Sequence, residues 1–165
     1  MTVSDRTIAI VTGSFDPITV GHVGLVRRAA EQFDLVYVVA FSNAEKQHLF
    51  SSDARREMIR LAVADVPNAV ADAWDGMAAD YMHAHGVTTI VRGVRSESDR
   101  AYEEYLAARM RELDPSFTTV WLAPEKGTEE VSSTLVRDAL REGRSIADLV
   151  PPTVEDYIRR AFPTI

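Results

Sequence analysis

The chain has 165 residues, of which 46% are hydrophobic and 26% charged, a composition typical of one globular domain with a substantial core. The absence of cysteine excludes disulfides and thiolate metal sites, and the formal net charge of −7 disfavours a general nucleic-acid binder. The first residues lack a basic segment followed by a long apolar one, and no apolar run approaches the roughly 20 residues that span a bilayer. We therefore expect a single domain over residues 1–165, located in the cytoplasm and not in a membrane.

Apolar, β-branched runs alternate with helical patterns along the chain. In chain order, the sequence predicts a strand at 7–11, a helix at 20–33, a strand at 35–41, a helix from Ser51 or Ser52 to Pro67, a strand at 69–73, a helix at 77–85 closed by Gly86, a strand at 87–91, a helix at 99–113, a strand at 117–122, and helices at 133–142 and 154–162. This alternation predicts an α/β fold, a Rossmann-like doubly wound sheet of about five parallel strands with right-handed crossovers and helices on both faces.

Four polar or glycine-containing loops follow predicted strands, at 12–22, 42–49, 92–99 and 123–133. In open parallel sheets, ligands bind beyond the carboxyl ends of the strands. We therefore expect any site to be assembled from these four loops.

The first of them, TGSFDPITVGH at 12–22, contains groups that suit a phosphate. Gly13 permits close backbone approach, and Gly21-His22 lies at a helix start, where free N–H groups and a partial positive charge favour an anion. Ser14 adds a hydroxyl and His22 a ring donor. A tight turn shaped by Asp16-Pro17, with a half-buried histidine, explains the same residues about equally well.

The other three loops each contain possible anion-binding groups. RGVR at 92–95 presents two arginines that can reach one polyanion, and Lys46, one of only two lysines, can neutralise a phosphoryl group. SSTLVR at 132–137 is typical of a helix N-cap and first turn, which leaves donors for a second phosphate, with Arg137 one turn on. Each has a simpler interpretation: a solvated loop, a surface lysine and an ordinary cap.

Together these motifs resemble the nucleotidyltransferase superfamily marked by a T/H-x-G-H signature, which stands here as Thr19-Val20-Gly21-His22. Within that superfamily the chain is most similar to the bacterial phosphopantetheine adenylyltransferases. The similarity spans essentially the whole chain, and the features that narrow it are RGVR at 92–95 followed by Tyr102-Glu103.

The resemblance implies that ATP and 4′-phosphopantetheine react by direct in-line attack to give dephospho-coenzyme A and pyrophosphate, without a covalent enzyme intermediate. It implies that His22 donates to the α-phosphate, and that Ser14, Lys46 and Arg95 act at the reacting phosphates. The implied acceptor-binding residues are Ser14, Lys46, Ala78 and Arg92. The implied ATP-binding residues are Ser14, Phe15, His22, Gly93, Val94, Arg95, Glu103, Thr128, Glu129, Glu130, Val131, Ser132, Ser133 and Thr134. Mg²⁺ would be held through the ATP phosphates, without a dedicated protein metal site, and the assembly would be a hexamer.

Two alternatives stay open at this stage. Another adenylyltransferase of the superfamily, such as one acting on nicotinate mononucleotide, shares the first and last motifs. A non-catalytic nucleotide sensor is suggested by Thr128-Glu129-Glu130, which replaces a run that is usually aromatic in the family. Met110 and Ala78 also depart from the usual residues of the acceptor pocket.

Overall fold

The computed structural model describes residues 6–165. Its elements are β1 (Ile8–Gly13), α1 (Val20–Gln32), β2 (Leu35–Ser42), α2 (Ser52–Ala62), β3 (Ala69–Asp75), α3 (Ala78–His85), β4 (Thr89–Gly93), α4 (Glu97–Leu113), β5 (Thr118–Leu122), α5 (Ser133–Arg141) and α6 (Pro152–Ala161). The element types and their order are those that the sequence predicts.

The five strands form one parallel sheet in the order β3-β2-β1-β4-β5. β1 lies at the centre, where Ile10 pairs with Tyr37 of β2 and Ile90 of β4. The chain therefore winds outward from β1 to one edge through β2 and β3, then crosses back to build the other edge. This Rossmann-like topology confirms the predicted fold class.

Successive residues of the central strands belong to two separate hydrophobic cores, one on each face of the sheet. Ala9 and Val11 pack with α1, α2, α5 and α6, whereas Ile10 packs with α3 and with Met110 of α4. Because side chains alternate across a strand, a strand covered on both faces is apolar at consecutive positions, as β2 is from Leu35 to Phe41. None of the helices in residues 6–165 is both long and apolar enough to cross a membrane.

Several element ends differ from the predicted ones, and each difference has a local cause. α2 ends at Ala62 and not at Pro67, because a turn closed by the Val66 N–H and the Val63 carbonyl follows it, although Val66 stays in the core. β4 begins later than predicted, because the Val87 N–H is bonded to the Met82 carbonyl beyond the left-handed Gly86.

β1 and β4 also extend beyond their apolar runs, and this affects the site. Thr12 and Gly13 pair with β2, and Arg92 and Gly93 pair with β5. The predicted loops at 12–22 and 92–99 therefore begin inside the sheet, which holds the backbone of their first residues rigidly. α4 begins at Glu97, two residues before its predicted start, because the Ser96 hydroxyl caps it.

Candidate functional site

Two adjoining cavities open around the carboxyl end of the sheet. The polar cavity, of about 360 Å³, is lined by the loops that follow β1, β4 and β5 and by the start of α1. The apolar cavity, of about 350 Å³, lies between the sheet and the helices α3 and α4. Thr12, Arg92 and Glu103 line both cavities, so these three residues form the boundary between them.

The start of α1 is a capping box in which a histidine takes the place usually held by glutamate or glutamine. The Thr19 N–H donates to His22 Nδ1 at 3.0 Å, and the His22 N–H donates to Thr19 Oγ1 at 3.3 Å. The edge of the Phe15 ring packs against the imidazole, with the ring centroids 5.0 Å apart. Because Nδ1 accepts a hydrogen bond, the proton of the neutral ring is on Nε2.

The electrostatic environment keeps this imidazole neutral. Burial first of all, and then the nearby positive charges of Arg95 and Arg92, together lower the pKa of His22 to about 4. His22 lines the polar cavity. At neutral pH it is thus an uncharged donor, held by the helix cap.

Arg92 is bound mainly by the protein itself. Its Nε and Nη2 donate to the two carboxylate oxygens of Glu103 at 2.9 and 2.8 Å, and its Nη1 donates to the carbonyl and hydroxyl oxygens of Thr12. Glu103 is buried. This pairing connects β1, β4 and α4, and it leaves one Nη2 proton for a ligand.

Arg95 is exposed, at the mouth of the polar cavity. Its Nη1 donates to the Val131 carbonyl at 3.2 Å, and its own N–H donates to Asp99. The two predicted arginines therefore differ: Arg92 is held by its hydrogen bonds to Glu103, whereas most of the guanidinium N–H groups of Arg95 remain available to a ligand. Gly93 and Val94 also line the polar cavity.

Ser14 and Lys46 meet across 32 residues of sequence. Lys46 Nζ donates to Ser14 Oγ at 3.2 Å, so the loops that follow β1 and β2 join at this point. The Lys46 side chain is exposed and keeps two further protons for an anionic ligand. Ala78, at the start of α3, lines the apolar cavity.

Only part of the predicted 128–134 segment lines the polar cavity, namely Thr128 and Val131. Ser132 Oγ accepts the Leu135 N–H as the cap of α5, and Ser133 Oγ donates to the Pro17 carbonyl at 2.8 Å. The remaining residues of the segment have other surroundings: Glu129 accepts the Gly127 N–H, Glu130 is exposed, and Thr134 accepts from Arg137.

Asp16 and Arg137 have structural partners that the sequence did not reveal. The buried Asp16 carboxylate accepts the N–H groups of Leu49 and Phe50 at 2.8 and 2.9 Å, and thereby holds the end of the Lys46 loop. Arg137 Nη1 donates to the Asp16 carbonyl at 2.8 Å. An aspartate before a proline signals a turn, but nothing local in the sequence identifies these distant partners.

The buried Arg55 is a second residue that sequence reasoning missed. It is 1% exposed and donates hydrogen bonds to the Ser14 carbonyl and to both ends of the Lys46 loop. Its position beside Arg56 in an amphipathic helix gave no sign of burial. Among residues 6–165, no group of three or more His, Asp or Glu side chains is arranged to hold a metal ion.

This arrangement of strands and helices matches both a known protein family and a solved structure. A family model described as cytidylyltransferase-like matches residues 10–139 of the chain. A solved structure from Vibrio parahaemolyticus, provisionally named a nicotinate-nucleotide adenylyltransferase, is 20% identical to the chain, with a TM-score of 0.68, and the match covers 94% of this chain and 93% of that one. At this level of identity the structural similarity establishes a common fold.

Proposed function

The chain belongs to the cytidylyltransferase-like nucleotidyltransferases, and within that family we propose that it transfers the adenylyl group of ATP to 4′-phosphopantetheine. The products are dephospho-coenzyme A and pyrophosphate. One observation carries the choice of acceptor: the polar cavity beside His22 adjoins a second cavity whose walls are mainly apolar. A long acceptor with few charges can fill that second cavity while its phosphate reaches the first.

The polar cavity supplies what a nucleoside triphosphate requires. The N-terminus of α1 carries a partial positive charge, and Gly21 at that end leaves the backbone accessible. His22 and Arg95 add a neutral and a cationic donor. Phosphate oxygens are favoured beside such donors.

The apolar cavity fits a pantetheine arm better than a second nucleotide. Its walls include Ala78, Leu106, Met110 and Leu113. The methylene and methyl groups of pantetheine gain free energy when they leave water for such a surface. The two arginines on this wall, Arg92 and Arg109, each have a carboxylate partner, Glu103 and Glu112, so the cavity offers little net positive charge to a pyridine carboxylate.

The proposed reaction is an in-line displacement at the α-phosphorus. An oxygen of the acceptor phosphate bonds to that phosphorus, the bond to the oxygen that bridges to the β-phosphate breaks, and pyrophosphate leaves with the electron pair. In the proposed reaction, His22 Nε2–H donates to the α-phosphate and Arg95 neutralises the phosphate chain. Ser14 lies between Gly13 and Phe15, which line the polar cavity, and together with Lys46 it would hold the acceptor phosphate at the edge of that cavity. The protein contributes position and electrostatic stabilisation, and no nucleophile of its own.

Mg²⁺ completes the proposal as a metal bound to substrate. Bound to the phosphates, it would neutralise part of their charge. The hexameric assembly that the family resemblance implies and the cytoplasmic location that the composition suggests remain predictions, and light scattering on purified protein tests the first.

A pyrophosphate-release assay with ATP and Mg²⁺ tests the acceptor. We expect turnover with 4′-phosphopantetheine and at least roughly tenfold lower kcat/KM with nicotinate mononucleotide, which is about 1.4 kcal/mol of discrimination. The second acceptor is a real candidate because of the name given to the Vibrio parahaemolyticus structure.

A substitution in the apolar cavity is a matched control for that assay. Ala78 lines the apolar cavity but not the polar one, so Ala78→Leu should raise the KM of the acceptor and leave that of ATP unchanged. Preference for nicotinate mononucleotide would overturn the choice of acceptor. ATP binding without pyrophosphate release, with either acceptor, would identify a nucleotide sensor instead.

A further inference from the structure

We propose that Arg55 is a positioning residue that holds the Ser14–Lys46 pair in place. Arg55 lies on α2, and its guanidinium is buried beneath the loop that carries Lys46. The inference about geometry concerns the chain alone, while its consequence for turnover rests on the proposed adenylyl transfer.

The guanidinium makes five hydrogen bonds with its N–H groups. Nε donates to the Phe50 carbonyl at 3.1 Å, and Nη1 donates to the carbonyls of Ser14 at 2.9 Å and Phe41 at 3.1 Å. Nη2 donates to the hydroxyls of Ser42 at 2.7 Å and Ser52 at 3.3 Å. A guanidinium has five N–H donors, so its donor capacity is fully used inside the protein.

These partners include both ends of one loop. Phe41 and Ser42 stand where β2 ends and the Lys46 loop begins, and Phe50 stands where that loop ends. The third segment is the main chain of Ser14, whose hydroxyl accepts from Lys46. Arg55 thus sets the distance between the base of the loop and the residue that Lys46 must reach.

A purely structural explanation accounts less well for a charged side chain here. Arg55 is 1% exposed, and burial lowers its pKa from the ordinary arginine value although the charges of Asp16 and Asp75 oppose that shift. Burial of a cation carries a desolvation cost that an apolar side chain of similar length does not. What the guanidinium provides is several directional bonds in one plane, and four of the five go to Ser14 and to the two ends of the Lys46 loop.

The two lysines of the chain allow a direct measurement without any substrate. Reductive ¹³C-methylation labels Lys46 and Lys126 together with the N-terminal amine, so Lys126 is an internal control in every spectrum. In Arg55→Gln we expect the Lys46 signal to move toward the shift of free dimethyl-lysine and to sharpen, while the Lys126 signal stays in place. Arg56→Gln, the same change at the exposed neighbouring arginine, should move neither signal.

Two further variants separate positioning from general damage. Ser42→Ala removes only one of the five bonds and should shift the Lys46 signal in the same direction by a smaller amount; it decides the question if Arg55→Gln does not fold. Met58→Ala, on the same helix and fully buried in the core, should lower stability without moving the signal. An unchanged Lys46 signal in folded Arg55→Gln, or in Ser42→Ala, overturns the inference. So does an equal shift of Lys46 in Met58→Ala.

Kinetics supply the second readout. With whichever acceptor is turned over, Arg55→Gln should lower kcat about 10²-fold, the scale of a misplaced reacting group, with the KM of ATP nearly unchanged. In a Lys46→Ala background the same substitution should cost little more, because it acts through Lys46. Independent, additive losses contradict the positioning role. If neither acceptor is turned over, the proposed function fails while the lysine spectra still test Arg55.

Discussion

Replacing His22 tests separately the helix-cap role of its imidazole and the catalytic role that we propose for it. Its Nδ1 accepts the Thr19 N–H as part of the helix cap, and the residue lines the polar cavity, where we propose that Nε2–H meets the α-phosphate. His22→Ala removes both groups. His22→Asn keeps an acceptor near the position of Nδ1, but its amide nitrogen falls short of the position of Nε2.

The expected magnitudes differ for stability and for catalysis. Thr19 is 1% exposed, so alanine at position 22 leaves its buried N–H without a partner, at a cost of about 1–3 kcal/mol. A domain stability of about 5–15 kcal/mol leaves such a variant folded. Loss of the Nε2–H donor should lower kcat about 10²–10³-fold, the equivalent of about 2.7–4 kcal/mol of transition-state stabilisation.

Urea denaturation and pyrophosphate-release kinetics measure the two effects on the same samples. We expect His22→Ala to lose both stability and kcat, with a much smaller change in ATP affinity. We expect His22→Asn to recover most of the stability but little of the kcat. Near-normal turnover in His22→Ala, or full recovery of kcat in His22→Asn, would refute a role for the Nε2–H at the transition state.

Three other predictions concern the same part of the molecule. The pKa of His22 is about 4 in the folded chain, below its ordinary value of 6.5, so the unfolded chain gains a proton that the folded chain excludes as pH falls through this window. Stability is therefore complete above pH 6.5 and falls by up to about 3 kcal/mol on the way to pH 4. Urea denaturation across that range should show a flatter slope for His22→Asn, and equal slopes contradict the lowered pKa. Glu103→Ala leaves the partly buried Arg92 without its carboxylate and should lower the free energy of unfolding by up to about 3–5 kcal/mol. Glu103→Gln keeps one acceptor, so its free energy of unfolding should fall clearly less. Equal losses in the two variants would show that the charge pairing is unimportant. Gly21→Ala places a methyl group 3.8 Å from the Thr128 carbonyl oxygen, an ordinary contact, so the melting temperature should not fall. Because Gly21 lines the polar cavity, calorimetry should show roughly tenfold weaker ATP binding to this variant. Unchanged affinity would place the nucleotide elsewhere.

The predictable part of the fold consists of features that a short stretch of sequence encodes by itself. Gly86 closes α3 in the left-handed conformation, and Ser51 and Ser132 cap two helices with their hydroxyls. Each of these features depends only on a residue and on neighbours within one helical turn of it. Apolar runs likewise identify the strands, although β4 extends to Gly93 because β5 lies beside it.

The candidate site likewise has a part that the sequence predicts and a part that depends on distant contacts. The sequence identified the loops and residue types, since carboxyl ends of parallel strands must meet at one edge of the sheet. It could not show that the Arg92 fork would be taken by Glu103, or that Arg55 would be buried while Arg56 beside it is exposed.

By itself, then, the sequence determined the α/β alternation and the four loops at one edge, and it provided the donor groups of Ser14, His22 and Lys46 for which we propose phosphate binding, because periodicity, turns and side-chain chemistry are local properties. Only the tertiary structure decided which polar groups satisfy one another, how low the pKa of His22 lies and that an apolar cavity adjoins the polar one. Those properties depend on burial and on contacts between residues far apart in the chain. No local sequence pattern encodes burial or contacts between distant residues.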